Sequence, residues 1–436
     1  MRSRAWRVAV AALVVVLLAV GVSFLPVRSA TPAAVPVSGT QSVVCPSQEP
    51  ALLPVTVRGT DTGDVTGRSV GATSSSRVSE SGVSATAKPY IVSGSQSVAA
   101  MSSASRATGS TKGLWLASCS APATEQAFVG LVSDATHEVT LMITNPDPTE
   151  AVVDVAFYGA KGRVSTQGSR GLKVLGNSTR QLGLAQLVNG EGPVTAVVEA
   201  SEGRTSTYAL VESATGSDWV TSSGPASTSA VIAGVPGGTG SRVLAVTNRS
   251  DRRATVSVYV LGASDTFAAA GADAISLEAE STVTVKLDDA LRGEVAGLRV
   301  TSTQPVTAAL WSSTTDGDIS VSPARPAFGG RSVVPVIAGG VLVATNPGAE
   351  AATLTVTLRN GASLVESQTV TVEPGTTAQV PLTTGTAAEL STSSNDLRVT
   401  TVVTSVTGVT GLGVAAWGPG GPGDVQITPT LDPGLA

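Results

Sequence analysis

At 436 residues the chain is too long for one ordinary domain and suggests about two to four. Hydrophobic residues make up 42% against 14% charged, which excludes a disordered composition, and with only 3% aromatics the bulk falls to Val, Ala, Gly, Ser and Thr. Net charge is −5, and beyond the first seven residues 27 − 3 = 24 basic residues face 32 acidic ones, a balance of −8 that argues against nucleic acid as a partner.

Residues 1–7 carry Arg2, Arg4 and Arg7 and no acid, a basic tip expected in the cytoplasm. Residues 8–25 (VAVAALVVVLLAVGVSFL) then run 18 positions without a charge. That is close to the roughly 20 residues a helix needs to cross a hydrocarbon core. Positive charge ahead of the span keeps the N-terminus inside, so one transmembrane anchor with the C-terminal bulk extracytoplasmic is expected at a cell membrane. The alternative is a cleaved signal peptide and a secreted product. Its apolar core is usually about 7–15 residues, and Arg28 is a poor partner for a cut after Ala30. Residues 26–40 follow as a Pro/Ala-containing linker.

Past the linker the pattern becomes Val/Thr alternation, the signature of half-buried antiparallel strands, and the expected class is all-β. Residues 41–125 hold the two cysteines, Cys45 and Cys119. In an exported chain an even, minimal count suggests one disulfide, here closing a loop of 119 − 45 = 74 residues; two free buried thiols are the alternative. The same region is Ser-rich and patchily alternating (LLPVTVRG, ATAKPYIVSG, SQSVAAM), and reads as a divergent β module ending in GLWLASC.

Three clearer repeats follow, expected at 126–230, 231–332 and 333–436. Each opens with a Gly motif (FVG, IAG, IAG) and a strand ending in an asparagine turn: VTLMITNP at 139–146, RVLAVTNR at 242–249 and VLVATNP at 341–347. The turn residues Asn145, Asn248 and Asn346 are 248 − 145 = 103 and 346 − 248 = 98 positions apart. An alternating strand comes next (VVDVAFYG, TVSVYVLG, TLTVTLRNG), then a hairpin with a small turn centred on Gly176-Asn177-Ser178, Ala279-Glu280-Ser281 or Pro374-Gly375-Thr376. A pair of strands closes each unit, with Trp311 and Trp417 near the ends as Trp115 is in the divergent module. Six or seven short strands in roughly 100 residues match an immunoglobulin- or fibronectin-like sandwich, so the expectation is a row of tandem sandwiches. Solenoids and propellers, with periods of about 20–50 residues, fit less well.

The N-terminal anchor, Cys119 followed by Phe128-Val129-Gly130, and the recurring Asn145-Pro146 turn resemble an uncharacterised family of actinobacterial membrane-anchored exported proteins. Members are often encoded near cell-wall glycosyltransferases, so the resemblance implies an envelope role but no active residues.

Catalytic and metal signatures are sparse. His137, the only histidine, reads as a solvated loop residue and would have to serve any Ser-His-Asp triad. No GxSxG elbow surrounds a serine, and GVPGGTGS at 234–241 lacks the Lys and helix a phosphate loop needs. Glu199, Glu202 and Glu212 are the best carboxylates for glycoside hydrolysis, yet the other repeats lack counterparts. Asp147 with Glu150, or Asp316 with Asp318, could hold Ca²⁺ loosely, but turn chemistry explains them more simply. Trp115, Trp311 and Trp417 read as core aromatics, while Trp219 lies outside the pattern and could be exposed. No cofactor, metal or catalytic residue is expected. The leading expectation is a non-enzymatic extracytoplasmic scaffold or interaction protein, the alternative a glycan-binding accessory to cell-wall polysaccharide assembly.

Overall fold

β-Branched alternation becomes strands throughout the described part of the chain. A computed structural model describes residues 41–46, 55–60, 65–85, 88–94, 98–109, 112–188, 190–214, 216–406 and 408–418. The expected tip (1–7), anchor (8–25) and linker (26–40) lie outside the described residues. Among these, helix is limited to Ala185–Val188 and Asp288–Leu291, and no described helix is long and apolar enough to cross a membrane.

The strands fall into four units with one topology. In the second unit they run Glu125–Leu131, His137–Asn145, Ala151–Gly159, a split fourth strand (Gly162–Val164 and Leu172–Val174), Ser178–Gly183, Val194–Glu202, Ser206–Ser213 and Ser217–Val220. The first, sixth, third and fourth make one antiparallel sheet; the fifth, second, seventh and eighth make the other. The first unit repeats this order from Gln41–Cys45 to Gly113–Ser118. The third unit opens at Ser227–Val235 and the fourth at Arg331–Pro335, each slightly ahead of the expected limits. In the third the sixth and seventh strands fuse into one 19-residue strand, Ala296–Thr314, that passes from one sheet to the other.

Two expectations change here. The "hairpins" are not paired ladders: Leu172–Val174 pairs with the third strand and Ser178–Gly183 with the second, so the turn carries the chain across the sandwich. Its left-handed residues are Asn177, Glu280 and Gly375 (φ 52°, 51° and 70°), one per repeat, which is why Asn and Gly sit there. The order also departs from immunoglobulin domains, where A, B, E and D oppose C, F and G. Here the outer strands are exchanged: the first lies beside the sixth and the seventh beside the second.

Each sandwich has its own core between the sheets. In the second unit Leu141, Ile143 and Ala209 of one sheet meet Val153, Phe157 and Val198 of the other. The asparagines tie the sheets together at one end. Asn145 donates from Nδ2 to the carbonyls of Thr149 (2.7 Å) and Val174 (3.1 Å), and its Oδ1 accepts from Asp147 N (3.0 Å). Asn248 makes the same three bonds with Arg252, Glu278 and Ser250, and Asn346 with Glu350, Val372 and Gly348.

The units do not form a row. They close into a ring. Outward residues of the second sheets meet neighbouring units: Ala245, Ala309 and Val321 join the second unit's core, Met142, Tyr208 and Leu210 join the first's, and Val343, Val402 and Val414 of the fourth cluster with Val295 of the third. Met101, Leu114 and Leu116 of the first unit then pack into the core of the fourth and complete the circle. The junctions repeat in detail. The Thr282 hydroxyl donates to Tyr158 O (2.7 Å), and the Thr377 hydroxyl, one unit on, donates to Leu261 O (2.8 Å). Sheets stacked face to face around an axis is the propeller solution, reached here because each long repeat supplies two sheets with interleaved strands.

Candidate functional site

The four eighth strands line the axis of the ring. Gly113–Ser118 neighbours Val409–Trp417, which neighbours Ile319–Pro323, then Ser217–Val220, then Gly113–Ser118 again. Gly113–Ser118 and Ser217–Val220 are buried throughout, and so is the inner part of Val409–Trp417. Consecutive burial, rather than alternation, is what a strand covered on both faces shows.

Two carboxylates are buried here, Asp218 and Asp318, and among the described residues they are the only buried ones. Asp318 Oδ2 accepts from Leu412 N of the fourth unit (2.7 Å) and Leu114 N of the first (3.1 Å), and Oδ1 accepts from Ile319 N (3.1 Å). One side chain thus joins three units. The approach needs glycine: a Cβ at Gly113 would lie 2.0 Å from Asp318 Oδ1, and one at Gly411 2.3 Å from Oδ2. Asp218 accepts from Trp219 N (2.7 Å) and lies beside the Ser320 hydroxyl. Burial pushes Asp318 up to about 6, against the lowering effect of its N–H donors. Asp218 is pushed well above the carboxylate range, first by burial and then by the like charge of Asp318.

Both carboxylates are almost fully withdrawn from solvent, at 1% and 3% exposure. What the two carboxylates show is backbone clasping across the axis. Asp318 was a calcium candidate in sequence with Asp316, but it turns inward while Asp316 stays exposed, so the pair does not converge. No described group of three or more His, Cys, Asp or Glu could hold a metal.

The remaining candidates are accounted for singly. Cys45 and Cys119 are disulfide-bonded (Cα–Cα 4.3 Å), joining the opening strand of the first unit to the residue after its eighth strand. His137 Nδ1 meets Asp134 Oδ1 at 2.9 Å in an exposed turn. Asp134 is held well below the usual carboxylate range, mainly by the backbone N–H of Thr136, then by the Thr136 hydroxyl and His137. Glu199 and Glu202 lie on one sheet and Glu212 on the other, so they do not converge, and Glu199 faces Arg249 of the third unit at 3.9 Å. Asp147 pairs with Arg204 (2.8 Å) and Glu150 with Lys173 (2.9 Å). In the Gly-rich 234–241 loop, buried Arg242 donates to Pro236 O (3.0 Å) and Gly237 O (3.1 Å), which makes it a structural knot.

Tryptophan placement corrects the sequence reading. Trp219 is 2% exposed and packs edge-on against Trp115, with centroids 5.2 Å apart and planes at 78°. Trp311 lies on the fused strand rather than a closing one, and its Nε1 donates to Val129 O of the second unit (2.9 Å). The sequence sign of axial burial was the unbroken apolar run Leu114-Trp115-Leu116-Ala117.

Residues 72–383 match a family described as "Family of unknown function (DUF5719)". No curated protein matches the chain. Among solved structures the chain is similar to one titled "Crystal structure of tetra-tandem repeat in extending region of large adhesion protein", at 12% identity, covering 87% of this chain and 99% of that one, with a TM-score of 0.10. A superposition of that quality carries no argument about fold or role.

Proposed function

The chain belongs to the family of unknown function DUF5719, and from there we propose that it is a non-enzymatic scaffold or interaction protein, membrane-anchored on the extracytoplasmic side of the cell envelope. One observation carries the reading. The buried carboxylate Asp318 is engaged in holding three units of the ring together, accepting from Leu114 N and Leu412 N. The arginine-rich and apolar N-terminal residues support the anchor, and the disulfide suits an oxidising location.

Crosslinking in intact cells, followed by identification of neighbours, tests the scaffold role; reproducible envelope partners are expected. A reporter fused after Ala436 tests topology, and activity of that reporter in the cytoplasm would contradict export. Hydrolytic activity in the purified chain that vanishes on Glu199→Gln or Glu212→Gln would replace the scaffold reading with an enzymatic one.

A second reading, a glycan-binding accessory of polysaccharide assembly, is favoured by one feature, a hydroxyl-lined cleft on the second unit.

A further inference from the structure

We propose that this cleft binds the phosphate group of a phosphorylated sugar unit in an envelope glycan, a reading that deepens the glycan-binding alternative. The case starts in the sequence. Residues 160–173 (AKGRVSTQGSRGLK) hold Lys161, Arg163, Arg170 and Lys173 with no acid, a basic island in a chain of net charge −5. The segment replaces the middle of the second unit's fourth strand with a loop between Gly162–Val164 and Leu172–Val174.

That loop encloses an open cleft of about 230 Å³ over Val155, lined by Arg163, Arg170, Ser165, Thr166 and Ser169. The cleft is built rather than incidental. Ser169 is 1% exposed, its carbonyl accepts from Val155 N at 2.7 Å, and its hydroxyl meets that of Thr166 at 2.7 Å. Lys173 is engaged with Glu150, and Asp154 accepts from Gly171 N at 2.6 Å. Arg163 stands over the Tyr158 ring at 5.9 Å, and neither it nor Arg170 has a carboxylate partner among the described residues. Two guanidiniums without carboxylate partners, lining one polar recess, suit an oxyanion by charge and donor type. Donors from several directions suit a tetrahedral phosphate better than a planar carboxylate. The hydroxyls and remaining volume suit the attached sugar. The fold does not need the cations: the third unit fills its equivalent loop with buried Ala269 and Ala272.

Isothermal titration of the full chain with glucose 1-phosphate, inorganic phosphate, glucose and glucuronate tests this. Glucose 1-phosphate and phosphate should bind at millimolar concentration or below, weaken with salt, and outcompete glucuronate, while glucose should not bind. Arg163→Gln and Arg170→Gln should each lower affinity about tenfold, the loss of one charge-assisted hydrogen bond. Both side chains are exposed, so an unchanged melting temperature should accompany the loss. Absence of phosphate binding, equal binding by the double variant, or tighter binding of glucuronate overturns the proposal. So does capture of anionic phospholipid vesicles in place of the sugar phosphate. Neutral-glycan binding that survives in the double variant would remove this inference while leaving the broader glycan reading standing.

Discussion

Replacing Asn346 with alanine should destabilise the fold by about 3 kcal/mol, because three hydrogen bonds at about 1 kcal/mol each disappear from a buried site. The bonds run from Nδ2 to Glu350 O (2.8 Å) and Val372 O (2.9 Å), and from Gly348 N to Oδ1 (3.0 Å). Asn346 ends the second strand of its unit and Val372 ends the fourth, so the amide clamps opposite sheets together. Asn346→Asp sharpens the test. It keeps the acceptor for Gly348 N but sets a carboxylate oxygen against two carbonyls, so at pH 7 it should cost more than alanine. Burial and the facing carbonyls raise the introduced acid's folded pKa above its unfolded value of about 3.9. Its native state is therefore favoured at low pH and weakened as pH rises through that folded value, and the aspartate variant should recover relative to alanine near pH 4. Equilibrium urea unfolding followed by tryptophan fluorescence measures both. An alanine variant within about 0.5 kcal/mol of the parent, the range of a neutral surface change, would refute the clamp.

Other outcomes follow from the ring. Asp318 has its folded pKa raised to about 6, so its protonated form favours the native state. That contribution is complete below the unfolded value near 4 and is lost as pH rises through about 6, a change on the order of 3 kcal/mol. Asp318→Asn cannot follow it, so the parent's stability relative to the variant should rise as pH falls from 8 to 5 in paired thermal melts. Reducing the Cys45–Cys119 bond, which closes a 74-residue separation, should destabilise the chain by at most about 4 kcal/mol and lower the melting temperature. Thr282→Val and Thr377→Val should each cost about 1 kcal/mol at their junctions and shift one shared transition. Separate calorimetric transitions for each unit would contradict a closed ring.

Much of this architecture was legible because its causes are local. The asparagines announce themselves at a strand end followed by a turn, and an amide that serves its own loop can be read without knowing the fold. The two cysteines had one possible intramolecular pairing. Ring closure was less legible because it depends on outward-facing residues such as Met142 and Leu116, whose partners lie in other units. Repeat length argued against a propeller only because strands of two stacked sheets alternate along the chain. Trp219 read as an outlier although its four-residue strand Ser217–Val220 is the eighth of its unit, the strand that carries Trp115 and Trp417 in theirs. Asp318 carried a turn signature in TTDGDIS, and nothing local distinguished it from Asp316. Its burial comes from Gly113 and Gly411, about 205 residues before and 93 after it.

Because the fourth unit covers Met101, Leu114 and Leu116, the earliest part of the domain to leave the ribosome is the last to be finished. Its greasy flank stays bare through the production of some three hundred further residues. A message truncated ahead of Val409 would therefore yield a product with an adhesive wound on the first sandwich, a natural target for proteolytic quality control.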